Sequence, residues 1–292
     1  MACLNSQVLI ECAVMANKFN KSYFYNCKQQ GQKFAAVSCY DYTFAKLAAA
    51  AGVEMLLVGD SAAQLMLGFD STASAGTEFM IAITAAVRRA GQESFVVADM
   101  PYESSLGLER LIMDSRRFVD EAGADIVKIE TSAEQADRVK AVIDAGISVM
   151  PHLGIRPQTG KYKAEATSAA DAVELIELAM RMDDAGADML LLEGAAREVA
   201  GIITERVSVP VVSCGSGPEC DGQVLILPDI LGLTAGAGPK FAKSFGRVGD
   251  ECAEAIGAYV REVGNGSYPD DAHSYHMKSG ELDKLKSKLG LQ

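Results

Sequence analysis

The sequence predicts a (β/α)₈ barrel, on the strength of a repeated helix-to-strand phrase, eight short apolar runs and amphipathic stretches between them. The phrase places Ala-Gly before an apolar run and occurs four times, at 51–56, 122–127, 145–150 and 185–190. Glycine can adopt the left-handed conformation that closes a helix, and a short apolar run after it is typical of a buried parallel strand. The phrase therefore indicates repeated junctions between a helix and the next strand.

Apolar runs along the chain predict eight strands, the number that a closed barrel needs. They lie at 34–38, 54–58, 94–98, 125–129, 147–150, 189–192, 209–213 and 229–233. Stretches with apolar residues at helical spacing lie between them, at 77–90, 108–121, 133–144 and 169–185. Such alternation implies a parallel sheet. A doubly wound open sheet would also alternate, but no G-x-G-x-x-G motif follows the first strand to support it.

The two ends of the chain differ from the middle. We expect residues 1–32 to form an N-terminal extension with a helix, in which Met15 is an alternative start, and residues 33–277 to form one catalytic barrel domain. Residues 278–292 are rich in lysine and interrupted by glycine, which predicts a solvated C-terminal tail.

Composition excludes several classes of function. A net charge of −12 gives no basic surface for nucleic acid or anionic lipid. The seven cysteines are scattered, with no C-x-x-C pair, which argues against a disulfide framework or a zinc knuckle. No apolar run reaches the ~18 residues of a membrane span, and the first residues do not resemble a secretion signal. We therefore expect a cytoplasmic protein.

Polar residues stand at the carboxyl end of most predicted strands, where barrels of this kind carry their active site. They are Tyr40, Asp41, Asp60, Ser61, Asp99, Lys128, Glu130, His152 and Glu193. A single carboxylate after a strand is more often a helix N-cap, but several converging carboxylates repel each other and call for a cation or a functional reason.

Oxygen ligands without a Cys or His cluster favour a hard ion such as Mg²⁺, for which Asp60 and Asp99 are the candidate ligands. His152 has a structural and a catalytic interpretation of equal weight. The glycine-containing turns at 215–217 and 235–238 stand where many barrels hold phosphate, although tight turns use glycine without any ligand.

Several motifs in this order resemble the ketopantoate hydroxymethyltransferase family of the phosphoenolpyruvate mutase and isocitrate lyase superfamily. They are Cys-Tyr-Asp-Tyr (39–42), Leu-Val-Gly-Asp-Ser (57–61), Val-Ala-Asp-Met-Pro (97–101), Val-Lys-Ile-Glu (127–130), His-Leu-Gly (152–154) and Tyr-Pro-Asp-Asp-Ala-His-Ser-Tyr-His (268–276). The resemblance implies transfer of a hydroxymethyl group from 5,10-methylenetetrahydrofolate to 3-methyl-2-oxobutanoate. The product would be 2-dehydropantoate, formed through a Mg²⁺-stabilised enolate in pantothenate biosynthesis.

The resemblance also implies a role for each site residue. Asp60 and Asp99 match the metal ligands and contact the substrate, with Glu130 near the ion directly or through water. Ser61 and Lys128 match the groups that hold the 2-oxo acid, with His152 beside them, and Glu193 matches the proton-abstracting base. The family further implies a homo-oligomer, by analogy a decamer.

Several positions depart from the family pattern, among them Thr131-Ser132, Pro151, Gly194 and the turn at 235–239, and they leave two other functions open. The loop at 159–166 is shorter and less rich in glycine than its family counterpart. A divergent Mg²⁺-dependent aldolase or lyase could act on another 2-oxo acid without folate, with Cys39 and Cys214 as the nearest candidate thiols. An inactive scaffold barrel is less well supported, because Asp60, Asp99 and Glu193 are all present.

Overall fold

A computed structural model describes residues 18–159, 163–234, 236 and 238–291. Eight parallel strands close into a barrel in sequential order, which confirms the predicted fold. The strands are β1 Phe34–Ser38, β2 Met55–Val58, β3 Phe95–Asp99, β4 Ile126–Glu130, β5 Val149–Gly154, β6 Leu190–Glu193, β7 Val211–Cys214 and β8 Gly222–Ile226. The first seven overlap the predicted apolar runs.

Helices surround the barrel and include the four predicted from helical spacing. They are α1 Lys21–Gln30, α2 Tyr42–Ala50, α3 Ala62–Leu65, α4 Thr77–Ala90, α5 Leu108–Asp120, α6 Ala136–Asp144, α7 Ala169–Asp184, α8 Arg197–Arg206, α9 Leu227–Leu231, α10 Val248–Asn265 and α11 Glu281–Leu289. The helix expected in the N-terminal extension is α1. Met15 and the rest of residues 1–17 lie outside the described residues.

The prediction of the eighth strand at 229–233 was wrong. That strand is β8 (Gly222–Ile226), which pairs with β7 and β1 and follows β7 without an intervening helix. The run at 229–233 instead contains the end of α9, which carries Pro228 in its first turn and ends at Gly232 with φ 67°. Proline suits the first turn of a helix, and a left-handed glycine ends one, so both residues disfavour a strand here.

Helix α1 closes the amino-terminal end of the barrel. It begins at the cap Asn20, whose side chain accepts a hydrogen bond from the Tyr23 backbone, and its buried Phe24 enters the barrel. The Phe24 ring lies 4.7 Å from that of Phe34 and 5.2 Å from that of Phe95, centroid to centroid, in edge-to-face contacts. Apolar side chains therefore fill the amino-terminal end of the barrel, and the buried charged side chains lie at the carboxyl-terminal end.

Each strand carries one inward-facing row of side chains, because side chains alternate between the two faces. In β3 the row runs from Phe95 and Val97 to the terminal Asp99, and in β6 it runs from Leu191 to the terminal Glu193. The lower members belong to one buried apolar cluster inside the barrel. The charged members therefore meet above that cluster, at the carboxyl end.

The C-terminal elements differ from the barrel in burial. None of the residues of α10 or α11 is buried, and α11 lies within the segment predicted as a solvated tail. Helix α10 exposes Ile256, Tyr259 and Val260 by 59–64%. Among the described residues, no helix is both long and apolar enough to cross a bilayer.

Candidate active site

The buried, positively charged side chain of Lys128 lies at the centre of the carboxyl-terminal end of the barrel. Lys128 lies on β4 and pairs in register with Asp99 of β3, and its Nζ is 2.8 Å from Asp99 Oδ2. Burial opposes the charged form of Lys128, but the charges of Asp99, Asp60 and Glu130 outweigh this effect and raise its pKa. Lys128 is therefore a fixed positive charge at this site.

His152 connects this cation to the candidate base. Lys128 Nζ lies 3.2 Å from His152 Nδ1, and since the ammonium has only donors, Nδ1 acts as acceptor. Burial, followed by the charge of Lys128, lowers the pKa of His152. The neutral ring then carries its proton on Nε2, which lies 3.2 Å from Glu193 Oε2 but outside hydrogen-bond alignment.

Glu193 ends β6 with a partly exposed side chain, unlike its buried neighbours. Gly154 of β5 lies opposite it, and Cys214 of β7 is its register partner on the other side. A Cβ atom on Gly154 would strike the Glu193 carbonyl oxygen. The close approach of β5 and β6 thus fixes the backbone that carries Glu193.

Asp60 and Glu130 are joined through a residue that the sequence analysis did not single out. Gln158 donates from Nε2 to Asp60 Oδ2 at 2.8 Å and from its backbone N–H to Glu130 Oε1 at 3.0 Å. The Asp60 backbone N–H in turn donates to Asp99 Oδ2 at 3.1 Å. The signal that could have indicated Gln158 was its position in the loop after β5.

Two carboxylate oxygens of this site, Asp99 Oδ1 and Glu130 Oε2, are buried without a hydrogen-bond partner. Burial raises the pKa of Asp99 above its usual range and that of Glu130 to about 7. Unpaired, desolvated carboxylate oxygens are what a hard cation would stabilise. They fit Mg²⁺, with Asp60, Asp99 and Glu130 as the residues that would hold it.

The number of ligands that the protein could supply is limited. Within the described ranges, no three His, Cys, Asp or Glu side chains form a group that could hold an ion by themselves. Mg²⁺ commonly takes one or two carboxylates and completes its octahedron with water and substrate oxygens. The site fits that arrangement and does not fit a closed structural metal site.

Ser61 and Tyr40 meet beside Asp60, whereas Asp41 does not join the site. The Tyr40 hydroxyl lies 2.8 Å from Ser61 Oγ, and burial raises the pKa of Tyr40 to about 12. Asp41 instead caps α2 by accepting a hydrogen bond from the Phe44 backbone N–H. The N-cap interpretation of a carboxylate after a strand therefore holds for Asp41.

In the glycine turn at 215–217, the polar atoms of Ser216 are engaged by hydrogen bonds within the protein. Ser216 Oγ donates to Leu192 O and accepts from the Ala195 backbone N–H, and the Ser216 N–H donates to Ser213 Oγ. The polar atoms of Ser216 thus join the ends of β6 and β7. The turn at 235–238 follows α9 rather than a strand, and residues 235 and 237 are outside the described residues.

Neither candidate thiol has the environment of a nucleophile. Burial raises the pKa of Cys39 to about 12, and burial together with the charge of Glu193 raises that of Cys214. A reactive cysteine needs a depressed pKa, since the thiolate is the nucleophile.

Comparison with known proteins gives consistent matches over most of the chain. The model of the ketopantoate hydroxymethyltransferase family matches residues 18–271. A 3-methyl-2-oxobutanoate hydroxymethyltransferase of Clostridium acetobutylicum is 38% identical over 90% of this chain and 97% of its own length. The protein of the same name from Bacillus cereus (strain G9842) is 39% identical, over 91% of this chain and 96% of its own.

Solved structures with the same fold are more distant in sequence. A 2,3-dimethylmalate lyase, described as a member of the PEP mutase and isocitrate lyase superfamily, has a TM-score of 0.58 at 16% identity. It covers 95% of this chain and 97% of its own. A phosphonopyruvate hydrolase in complex with oxalate and Mg²⁺ has a TM-score of 0.58 at 13% identity, over 93% and 96% of the two chains.

Proposed function

The chain belongs to the ketopantoate hydroxymethyltransferase family and is an enzyme of the transferase class, and on that premise we propose the reaction it catalyses. It transfers the one-carbon unit of 5,10-methylenetetrahydrofolate to C3 of 3-methyl-2-oxobutanoate and forms 2-dehydropantoate. The cofactor is Mg²⁺, held by Asp60 and Asp99, with Glu130 near the ion directly or through water.

One observation carries this proposal. The unpaired oxygens of Asp99 and Glu130 and the ammonium of Lys128 are buried together, while the carboxylate of Glu193 is partly exposed. A 2-oxo acid presents carboxylate and keto oxygens at one end and an acidic C–H at the other. The buried charges around Lys128 can bind the carboxylate and keto oxygens of the substrate. The accessible carboxylate of Glu193 can accept the proton of its C–H bond.

The bound Mg²⁺ would supply Lewis-acid chemistry, drawing electrons toward the keto oxygen as the C3–H bond breaks. Lys128 adds a fixed positive charge for the negative oxygens of the substrate, and Ser61 Oγ, beside Tyr40, can donate a hydrogen bond to them. These groups are in place before the substrate binds, so little reorganisation is needed during the reaction.

Glu193 accepts the proton from C3, and the electron pair of the C3–H bond becomes available for attack. Water adds to the methylene carbon of the donor, and both C–N bonds of that carbon break to release tetrahydrofolate and a one-carbon unit at the oxidation level of formaldehyde. The electron pair of C3 forms the new C–C bond to that carbon, and the oxygen that came from water takes up a proton, returned by Glu193, to become the hydroxyl group. His152 contacts the base without sharing its role, because its own proton faces Glu193 and its other nitrogen is held by Lys128.

An exchange experiment tests the proposal in two stages. The enzyme is incubated with 3-methyl-2-oxobutanoate deuterated at C3 in the presence of Mg²⁺, and loss of deuterium is followed by NMR. Methylenetetrahydrofolate is then added, and 2-dehydropantoate is measured. We expect Mg²⁺-dependent exchange followed by product.

Other outcomes would change the assignment in a defined way. Exchange without product would favour the second candidate, a Mg²⁺-dependent aldolase or lyase on another 2-oxo acid, which the altered loop at 159–166 motivates. A folded, Mg²⁺-loaded enzyme that gives no exchange would refute the enolate mechanism.

Two further expectations concern the state of the protein in the cell. We infer a cytoplasmic location, because all five cysteines within the described residues are free.

We also infer a homo-oligomer, because α10 exposes a row of large apolar side chains that another subunit would cover.

A further inference from the structure

We propose that Gln158 is a positioning residue that selects which carboxylate oxygens of Asp60 and Glu130 face the cation. The inference rests on the metal centre of the proposed function and assigns to this residue a role that the sequence analysis did not foresee. Gln158 is not itself a ligand in this assignment. It acts by occupying one oxygen of each carboxylate.

Gln158 joins the ends of four neighbouring strands. It lies in the short 3-10 turn Pro157–Thr159 after β5 and is only 8% exposed. Its Nε2 donates to Asp60 Oδ2 after β2 at 2.8 Å and to Met100 O after β3 at 2.9 Å. Its backbone N–H donates to Glu130 Oε1 at the end of β4 at 3.0 Å.

The orientation of the Gln158 amide follows from its partners. Both the Met100 carbonyl and the Asp60 carboxylate are acceptors, so the amide must present its NH₂ group to them. Each of the two protons on Nε2 is then engaged, one by Asp60 Oδ2 and the other by Met100 O. Glutamate at this position would place oxygen against two acceptors.

As a result, in both Glu130 and Asp99 one carboxylate oxygen has a partner within the protein and the other has none. Glu130 Oε1 is taken by Gln158, and Oε2 of the same group is left buried and unpaired. In Asp99, Oδ2 is taken by Lys128 and the Asp60 N–H, and Oδ1 is left unpaired. Gln158 holds one oxygen of Asp60 and one of Glu130, as Lys128 holds one of Asp99, and the remaining oxygens of Glu130 and Asp99 are buried without a partner.

The test is a comparison of Mg²⁺ affinity, measured by calorimetric titration of the metal-free protein with MgCl₂ alone. Gln158→Met keeps the length of the side chain and the backbone N–H but removes both amide protons. We expect Mg²⁺ to bind about 10–100-fold more weakly, the usual effect of losing a group that orients a metal ligand. Gln223→Met, an exposed glutamine that donates to Gly217 O, is the matched control and should bind as wild type.

A second readout separates positioning from a structural role. At saturating Mg²⁺ the kcat of Gln158→Met should return to within a few-fold of wild type, with the loss confined to the Mg²⁺ concentration needed for half activity. Unaltered Mg²⁺ affinity in Gln158→Met would overturn the inference, as would a loss of kcat that saturating Mg²⁺ does not restore. If wild type itself bound no Mg²⁺, the proposed metal centre would fail first.

If Gln158→Met does not fold, the inference is tested on the wild-type protein instead. The side-chain amide protons of Gln158 are followed by NMR before and after addition of Mg²⁺. Two slowly exchanging protons in both states support the inference. Rapid exchange of the proton that faces Asp60 in the Mg²⁺-bound state would overturn it, because Asp60 Oδ2 would then no longer be held.

Discussion

The ammonium of Lys128 lies 2.8 Å from Asp99 Oδ2 on the adjacent strand, and both side chains are almost completely buried. The contact is the direct result of register, since the two residues are paired across β3 and β4. It brings together opposite charges that would be costly to bury singly, and it leaves the second oxygen of Asp99 without a partner. Stability and the proposed metal chemistry are therefore linked at this pair.

Removal of the Lys128 charge should destabilise the metal-free protein strongly. Lys128→Met leaves Asp99 buried without its partner, which typically costs about 3–5 kcal/mol. Lys21→Met, which breaks the more exposed ion pair with Asp188, should cost less than about 1 kcal/mol. Urea unfolding in EDTA measures both. Equal losses in the two variants would contradict the assignment of Lys128 as a buried counter-charge.

Glu193→Gln should abolish deuterium exchange at C3 while leaving Mg²⁺ binding intact. The amide cannot accept the proton, and removal of a general base commonly lowers the rate by at least about 100-fold. The variant is assayed by NMR for exchange and by calorimetry for Mg²⁺ and substrate binding. Exchange at the wild-type rate in Glu193→Gln would exclude this residue as the base.

The stability of the metal-free protein should fall as pH rises from about 4.5 to about 7. Burial raises the pKa of Glu130 from 4.5 to about 7, so between these values the folded state holds a proton that the unfolded state has lost. The slope for one proton is at most about 1.4 kcal/mol per pH unit. Thermal unfolding in EDTA across this range measures it.

Two controls accompany this pH series. Glu130→Gln removes the titrating group and should flatten the dependence, although Asp99, whose pKa is also raised, contributes in the same direction. Saturating Mg²⁺ should reverse the slope, because the ion binds the ionised carboxylates. A Glu130→Gln protein with the full wild-type slope would show that other groups cause the dependence.

Gly154→Ala should lower both stability and the exchange rate more than Gly146→Ala does. Both glycines have positive φ, 92° and 80°, so alanine is strained by about 1–2 kcal/mol at either position. A Cβ on Gly154 would also strike the Glu193 carbonyl, whereas a Cβ on Gly146 meets nothing within 4 Å. Thermal unfolding and the exchange assay separate the two effects, and equal behaviour would argue against the close contact.

Charge on the exposed face of α10 should shift the oligomeric state. Val260 is 61% exposed on α10, and Val173 is 53% exposed on α7. If α10 is covered by another subunit, Val260→Glu should lower the mass measured by light scattering, and Val173→Glu should leave it unchanged. A Val260→Glu protein with the wild-type mass would exclude this face from the interface.

Local sequence signals determined the barrel and most of its site. The Ala-Gly phrase marked the ends of helices, and short apolar runs marked seven strands, because each signal depends on residues close in the chain. Every second residue of a strand faces the same side, so Asp99 faces the barrel interior as Phe95 and Val97 do. Its position at the carboxyl end of β3 therefore follows from the local sequence. Glu193 was predicted at the same end of the barrel because it directly follows the apolar run at 189–192.

Other features were decided only by the tertiary structure. The eighth strand follows β7 without a helix, so the alternation that located the others gave no indication of it, and the apolar run at 229–233 was taken in its place. Asp41 and Asp60 both follow strands, yet one caps a helix and the other contacts Gln158. Gln158 meets Asp60 across 98 residues of chain. Contacts of this kind arise when the barrel closes and brings distant strand ends together, which no neighbouring residues encode.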